Sequence, residues 1–246
     1  MNSTHMNNRA LFVAGLTGLL CIAVLHRPPN LAADVPLTAD EIISHVDRNQ
    51  YIGQGTVEAR MRVKGGAWQQ IKLFTITRDN SSVRIEFSNP HDEGTSMQYS
   101  NGRLQIFYPD VRRPVELTGR MLNMAFMGSD FSYMDVIQPY SYGQLFSFEI
   151  VGTQQLGESA VYLLRGTPRS GIDHSPQQIS LWVDAEQFVV VRQESRNPNS
   201  ASQAIATTES ITEFQPYILP ARRVLQRQLQ PDTYSILEII RVNTAE

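Results

Sequence analysis

Residues 96–110 read SMQYSNGRLQIFYPD, two runs of strand length on either side of Asn101-Gly102. An Asn-Gly pair readily adopts the positive backbone angles of a type I′ turn, so its position between two such runs is the strongest short-range signal for a β-hairpin. The stretch therefore predicts two antiparallel strands joined by a tight turn. It also guides the interpretation of the flanking runs, because short connections can join only antiparallel strands.

An alternation of apolar and polar residues recurs on both sides of this hairpin. It is clear in GTVEARMRV (55–63) and in SSVRIEF (81–87). The segment QISLWVDAEQFVVVRQES (178–195) predicts two further strands with a turn at residues 184–186. About ten or eleven such runs follow one another with hairpin-length connections, which predicts a mainly β protein built as one large antiparallel meander.

Composition limits the class of protein and of partner. The chain has 246 residues, of which 41% are hydrophobic and 18% are charged, and its formal net charge is −3. This length permits one large domain or two small ones, and the composition is that of a folded protein. A surface for nucleic acid needs a basic excess, which this chain lacks. We therefore expect no nucleic-acid partner.

The N-terminus has the pattern of an export signal. Arg9 precedes an apolar run, residues 10–25, and HRPPNLAAD follows it. The run is shorter than the about 20 residues that a spanning helix needs, so we predict a signal peptide over residues 1–33 and a single domain over residues 34–246. An uncleaved anchor in the inner membrane remains the alternative, because Leu31 is large for its position before the cleavage site. Either way, the domain is expected to be exported.

One amphipathic helix is predicted before the first strand. Thr38 and Glu41 have the spacing of a capping box, in which each side chain bonds the backbone N–H of the other residue. Ile42, Ile43 and Val46 then fall on one helical face. The pattern predicts a helix over residues 39–49 whose apolar stripe packs over the open side of the sheet.

Residues with catalytic or metal-binding chemistry are scattered. Outside the N-terminal segment the histidines are His45, His91 and His174, and none has metal-ligand spacing to another. No nucleophile elbow and no phosphate-binding loop is present. We therefore expect no enzyme activity, no metal and no cofactor.

The segment FMGSDFSYMDV (126–136) stands apart from the strands around it. It follows TGRMLNMA (118–125), shows no strand alternation and is rich in methionines, aromatic residues and acids. Asp130 and Asp135 could be a catalytic pair of carboxylates. However, Ser and Asp residues are also typical of helix starts, so capping of a helix is the favoured interpretation. Flexible methionines suit contact with variable apolar ligands.

In these motifs the chain resembles the LolA-like proteins, a family of outer-membrane lipoprotein-sorting proteins, in its branch with a GSDF sequence. The matching residues are Gly128-Ser129-Asp130-Phe131, with Tyr133 and Asp135 behind them. TADEIISHVDR (38–48) resembles the opening helix of the family. LWVDAEQFVVVRQE (181–194) is similar to its Trp-x-Asp hairpin, and YILPARRVL (217–225) to its proline-then-basic strand. The resemblance extends over residues 37–243.

The resemblance implies a strongly curved antiparallel sheet, an unclosed barrel, with short helices as a lid. It also implies a periplasmic carrier that holds the acyl chains of a lipoprotein or lipid in an apolar hollow. The carrier would take them across the periplasm toward the outer membrane, between membrane-bound donor and acceptor proteins. Removal of the acyl chain from water contributes about 0.8 kcal/mol to binding per buried CH₂ group. The alternative function is a sensor or interaction module that binds a protein partner or a lipid signal. An enzyme is the weakest hypothesis, because no convergent ionisable set is visible.

Two groups of residues are predicted to form the lipid cavity and its lid. The segment before GSDF is more apolar than is usual in the family, which favours a lipid other than a triacylated lipoprotein. A plug at the end of the barrel is the alternative role for that segment. Trp182 is predicted to face the interior, and Trp68 to lie in the GGAWQ turn. The predicted ligand-binding residues are Ile42, Ile43, Val46, Met121, Met124, Phe126, Met127, Phe131 and Trp182.

Overall fold

The structure, a computed structural model, describes residues 36–139, 141–171, 178–196, 203–228, 230 and 232–244. The predicted signal peptide, its cleavage site and His174 lie outside these residues, so the structure does not test them. No helix in the described part of the chain is long and apolar enough to cross a membrane.

The strands of the described chain form one antiparallel sheet of 13 strands. The strands before the central segment are β1 (Gly55–Gly65), β2 (Trp68–Arg78), β3 (Ser82–Phe87), β4 (Ser96–Ser100), β5 (Arg103–Phe107) and β6 (Val115–Thr118). Those after it are β7 (Phe146–Leu156), β8 (Ser159–Pro168), β9 (Gln178–Asp184), β10 (Val190–Arg196), β11 (Gln203–Phe214), β12 (Tyr217–Arg227) and β13 (Thr233–Thr244).

The order of the strands is β6-β5-β4-β3-β2-β1-β13-β12-β11-β10-β9-β8-β7. Each half is a meander, and the first and last strands pair in the middle. Because β6 and β7 are edges that do not pair, the sheet is not closed into a barrel. The prediction of a large, unclosed antiparallel sheet is confirmed, with more strands than the sequence suggested.

The hairpin at residues 96–110 forms as predicted. Asn101 and Gly102 both have positive φ, 50° and 76°, and Ser100 pairs with Arg103 across the turn. The turn between β9 and β10 is held by Asp184, whose Oδ1 accepts the N–H groups of Glu186 and Gln187. The GGAWQ turn is shorter than predicted, because Trp68 is already the first residue of β2 and pairs with Gly65.

The helix α1 (Ala39–Gln50) begins at the predicted capping box. The Glu41 Oε2 accepts the Thr38 N–H at 2.8 Å, and the Thr38 Oγ1 accepts the Glu41 N–H at 3.3 Å. The further helices are short: α2 (Tyr133–Ile137) and α3 (Tyr142–Leu145), preceded by 3₁₀ turns at Gly119–Asn123 and Phe126–Gly128. All of these lie between β6 and β7 in the chain.

One face of the sheet carries the core, and we call it the inner face. In β1 the inner-face residues are Val57, Ala59, Met61 and Val63, which are buried in alternation with half-buried polar residues. A first cluster packs α2 and the preceding 3₁₀ turns against β1–β6 and β11–β13, and a second packs α1 and α3 against β7–β10. The inner face therefore carries two separate clusters, each under its own covering elements.

The outer face of the central strands is polar. Glu238 accepts hydrogen bonds from Arg60, at 2.6 Å, and from Arg222. Arg222 also contacts Glu209 at 2.5 Å, so the chain of ion pairs spans β1, β13, β12 and β11. Such a face suits contact with water, which leaves the inner face as the place for an apolar ligand.

Candidate functional site

A cavity of about 60 Å³ lies on the inner face between the two coverings. The C-terminal end of α1 and α2 contribute its sides, and β1, β2, β12 and β13 contribute its floor. Its walls are mainly apolar, with Arg78, Asp135 and Arg223 as the charged members. The lining residues are Gln50, Ile52, Val57, Ala59, Ile76, Arg78, Asp135, Val136, Pro139, Leu219, Pro220, Arg223, Leu237 and Ile239.

The floor of the cavity forms where the first and last strands meet. Ala59 of β1 pairs directly with Ile239 of β13. On the other side of β13, Leu237 pairs with Arg223 of β12. Directly paired residues point to the same face of a sheet, so these four side chains converge on the cavity. The pairing of the two ends of the chain thus creates the site.

Residues 119–139, which we call the closing segment, cover one side of the cavity. Its GSDF sequence forms a tight loop in which the Phe126 N–H donates to the Phe131 carbonyl at 2.7 Å. Gly128 has φ of 80°, a left-handed conformation that glycine adopts without strain. Phe126 and Phe131 are buried in the first cluster. The loop is therefore anchored to the sheet by two aromatic side chains.

Asp130 fastens this loop to the sheet by polar contacts. Its backbone N–H donates to the Ser235 Oγ at 2.9 Å, and the Ser235 hydroxyl donates to its Oδ2 at 2.8 Å. Its Oδ1 lies 3.4 Å from the Arg227 Nε. Ser235 is completely buried in β13. Because the Asp130 carboxylate and the buried Ser235 hydroxyl satisfy each other with little access to water, the contact between the closing segment and the sheet is specific.

The helix α2 is fixed at both of its ends. The Asp135 Oδ2 accepts the Ser132 N–H at 2.8 Å, and the Ser132 Oγ accepts the Asp135 N–H at 3.1 Å, which completes a second capping box. At the other end, the buried Arg78 donates to the carbonyls of Ile137 at 2.6 Å and Val136 at 3.2 Å. Asp135 therefore has a capping role, as favoured from the sequence, whereas Asp130 bonds to the sheet.

Asp47 of α1 holds the start of α3. Its Oδ1 accepts the Tyr142 N–H at 3.1 Å, and its Oδ2 accepts the Gly143 N–H at 2.8 Å. Burial raises the pKa of Asp47 to about 6, because desolvation of the carboxylate outweighs these two hydrogen bonds. Asp47 is thus the group in this contact whose charge changes near neutral pH.

A polar network lies on the inner face beside α3. The Tyr142 hydroxyl donates to the Gln193 Oε1 at 2.7 Å, and the Arg223 Nη2 donates to the same oxygen at 3.4 Å. Burial raises the pKa of Tyr142 overall, and the neighbouring Arg223 guanidinium opposes this shift. Among the residues that the structure describes, no three histidine, cysteine, aspartate or glutamate side chains group as metal ligands would.

The structure separates the predicted ligand-binding residues. Ile42, Ile43 and Val46 are buried between α1 and the sheet, as predicted, while Gln50 and Ile52 reach the cavity instead. Within the closing segment, Phe126 and Phe131 are buried, whereas Met121 and Met124 are exposed and Met127 is half-buried. None of the predicted residues lines the cavity in this closed arrangement.

The prediction that Trp182 faces the interior is wrong. Its neighbours Leu181 and Val183 are fully buried in the second cluster, and alternation along β9 places Trp182 on the opposite face. It is half-buried there, with the Arg192 guanidinium 5.4 Å from its ring centroid. The period of a strand shows that neighbouring residues face opposite sides, but a run with apolar residues on both faces does not show which side is the core.

Sequence reasoning missed the residues that form the cavity floor. Val57 and Ala59 were recognised as one apolar face of a strand, and Arg223 as part of a basic strand. Their convergence depends on the pairing of β1 with β13, whose residues lie far apart in the chain. A signal was present in the adjacent Arg222-Arg223, since one of two neighbouring strand residues must point toward the inner face.

Comparison with known proteins identifies the family and the fold. A family model with the description “uncharacterized protein” matches residues 79–246 of the chain. The chain belongs to this family. Among curated proteins, no significant match is found.

Solved structures assign the LolA-like fold. A LolA superfamily protein from Nitrosomonas europaea matches with a TM-score of 0.72 at 14% identity, over 86% of this chain and 95% of that one. A putative outer membrane lipoprotein-sorting protein domain from Vibrio parahaemolyticus gives 0.71 at 16% identity, over 83% and 91%. A DUF1329 family protein from Desulfovibrio piger gives 0.71 at 14%, over 83% and 91%. The LolA-like fold predicted from the motifs is therefore confirmed.

Proposed function

We propose that this LolA-like protein is a periplasmic carrier that binds the acyl chain of a lipid or lipoprotein on the inner face of its sheet. The observation that carries the proposal is the apolar cavity over the central strands, closed by two elements that belong to different core clusters. The fold that the chain shares with a putative lipoprotein-sorting domain supports the same function. Export of the domain, residues 34–246, after removal of residues 1–33 is part of this proposal.

The size of the cavity indicates that binding requires opening. A cavity of about 150 Å³ accepts benzene, and the present cavity is smaller. An acyl chain would therefore enter as the closing segment or α1 moves away from the sheet. Burying a dozen methylene groups contributes roughly 10 kcal/mol, which is enough to offset the loss of several hydrogen bonds of the kind made by Asp130, each worth about 1–3 kcal/mol.

In an open state, the predicted ligand-binding residues would contact the acyl chain. Displacement of the closing segment would bring Met121, Met124 and Met127 to the rim of an enlarged hollow. Displacement of α1 would expose Ile42, Ile43 and Val46 in the same way. The methionines already lie at or near the surface, and their flexible side chains adapt to ligands of different shape. Trp182 takes no part in this proposal, because it lies on the outer face.

The protein purified from its native periplasm tests the proposal by native mass spectrometry. We expect an acyl compound to remain bound. We also expect the measured mass of the chain to equal that of a polypeptide that starts at Asp34. Lipid binding would be overturned if the purified chain carried no acyl compound and, after delipidation, bound neither dodecanoate nor dodecanol. A protein partner in stoichiometric amount, without lipid, would favour a sensor instead. Transfer of a labelled lipid between donor and acceptor vesicles tests carriage itself.

A further inference from the structure

Arg223 is unusual among the charged side chains of the cavity. It lines the cavity from β12, and only 9% of the residue is exposed. Its neighbour across the ladder is the apolar Leu237. Taking a guanidinium out of water is costly unless the charge is paired. The position of Arg223 therefore calls for a compensating anion or for a functional reason.

The protein supplies little compensation at this position. Among the described residues, no carboxylate forms an ion pair with Arg223. Its hydrogen bond to the Gln193 Oε1 is long, at 3.4 Å, and uses one of the five N–H donors of the guanidinium. The Tyr142 hydroxyl, which donates to Gln193, also accepts a hydrogen bond from Arg223. Both partners are neutral oxygens, so the charge of Arg223 has no counter-ion among the described residues.

The other charged members of the cavity wall are differently occupied. Arg78 donates to the carbonyls of Val136 and Ile137. Asp135 accepts the N–H and the hydroxyl of Ser132 through its Oδ2. Arg222, adjacent to Arg223 but on the outer face, has two carboxylate partners. Arg223 thus combines burial, a place in the cavity wall and no ion pair.

We infer that Arg223 is the binding site for an anionic head group, a carboxylate or phosphate, whose acyl chain occupies the cavity. This inference rests on the proposed function and narrows its ligand to an anionic amphiphile. A guanidinium binds either anion through paired N–H···O contacts. The apolar walls would hold the chain and exclude water, which strengthens the contact between the charges.

Matched ligands on the delipidated protein test the inference. Binding of dodecanoate, dodecyl phosphate and neutral dodecanol is measured by calorimetry, with inorganic phosphate as a probe that lacks a chain. A ligand that makes a hydrogen bond to a charged group binds roughly ten- to hundredfold tighter than a matched ligand that lacks it. We expect at least one of the two anions to bind tighter than dodecanol by this factor, and inorganic phosphate alone to bind weakly. The ratio of dodecanoate to dodecyl phosphate distinguishes a fatty acid from a phospholipid as the source.

Variants at two adjacent positions separate the role of Arg223 from a general charge effect. Arg223→Gln should abolish the preference for the anion and leave the affinity for dodecanol unchanged, and Arg223→Lys should retain part of the preference. Arg222→Gln makes the same change of charge on the outer face and should keep the full preference. Thermal unfolding and dodecanol binding together show that each variant is folded.

The possible failures are distinguishable. Equal affinities of wild type for dodecanol and both anions would overturn the anion site while leaving acyl binding intact. A preference that survives Arg223→Gln would show that another group selects the anion, and would also overturn the inference. Absence of binding by every ligand that carries a chain would overturn the proposed function itself.

Discussion

At the scale of single residues, a few buried polar contacts hold the covering elements to the inner face. Asp130 connects the closing segment to β12 and β13, Arg78 binds the end of α2, and Asp47 binds the start of α3. Apolar packing is non-directional, whereas these contacts select one position for each element. We therefore expect their loss to loosen individual elements before the sheet unfolds.

Replacement of Asp130 by alanine should loosen the closing segment. The change leaves the buried Ser235 hydroxyl without its acceptor and removes the contact with Arg227, at a cost of about 1–3 kcal/mol. Amides of residues 126–133 should exchange hydrogen faster, while those of β8 and β9 should not change. Asp110→Ala, at an exposed position, is the matched control. Equal exchange in the two variants would show that Asp130 does not hold the segment.

Asp47 should make stability depend on pH. Because its pKa is raised from 3.8 to about 6, the folded state binds its proton more strongly than the unfolded state, and this group lowers stability as pH rises from about 4 to 6. After allowance for partial exposure, we expect a loss of about 1–2 kcal/mol. In Asp47→Asn this component should be absent.

Denaturant unfolding at pH 4.5 and pH 7.5 checks the Asp47 prediction. The contributions of other carboxylates, among them Asp92 and Glu238 with lowered pKa values, cancel when the variant is compared with wild type at each pH. The free energy of unfolding of Asp47→Asn, relative to that of wild type, should therefore be higher at pH 7.5 than at pH 4.5. A difference that is the same at both pH values would contradict the raised pKa.

At the scale of elements, the position of α1 on the sheet depends on its apolar stripe. Ile42, Ile43 and Val46 are each at most 2% exposed and belong to the second cluster. Burial of each such side chain contributes about 1.5–3 kcal/mol. The opposite side of α1, with Glu41, Ser44 and Arg48, is exposed, so the stripe should dominate the binding of the helix to the sheet.

Replacement of Ile43 by aspartate should release α1 or destabilise the fold. The variant loses apolar burial and places a charge in the second cluster, and we expect a loss of at least about 3 kcal/mol. Ser44→Asp introduces the same charge on the exposed side of α1 and should have a small effect. Thermal unfolding and lipid retention are the measurements. Wild-type values of both in Ile43→Asp would refute the role of the stripe.

At the scale of the whole molecule, one continuous sheet carries two coverings with a cavity between them. The two clusters have no residue in common and lie over different strands. We therefore expect that one covering can move while the other keeps its core. Segments that open for a ligand are expected among the less stable parts of a protein. The closing segment, whose helices are all short, is our candidate for such a segment.

Lipid loading should therefore protect the closing segment. In delipidated protein, amides of residues 117–136 should exchange quickly, and in protein loaded with lipid they should exchange slowly. If the segment is a static plug, as its buried Phe126 and Phe131 would also allow, protection will be equal in both states. Hydrogen exchange of the two preparations decides between a gate and a plug, with β4 and β5 as an internal reference.

The sequence by itself determined the local elements and the class of fold. The Asn101-Gly102 turn, the Thr38 capping box and the alternation in β1 each depend on residues close together in the chain, so their physical causes are visible in the sequence. The GSDF motif indicated the closing segment, but the sequence could not separate its buried aromatic residues from its exposed methionines.

Only the tertiary structure decided where the cavity lies and what faces it. Ala59 and Ile239 meet because β1 pairs with β13, the last strand, and a contact between residues so far apart in the chain leaves no local pattern. The same applies to Trp182, whose side of the sheet depends on which face the helices cover. Arg222 and Arg223 are alike in the sequence, and the twofold period of the strand sends one to water and the other into the hollow.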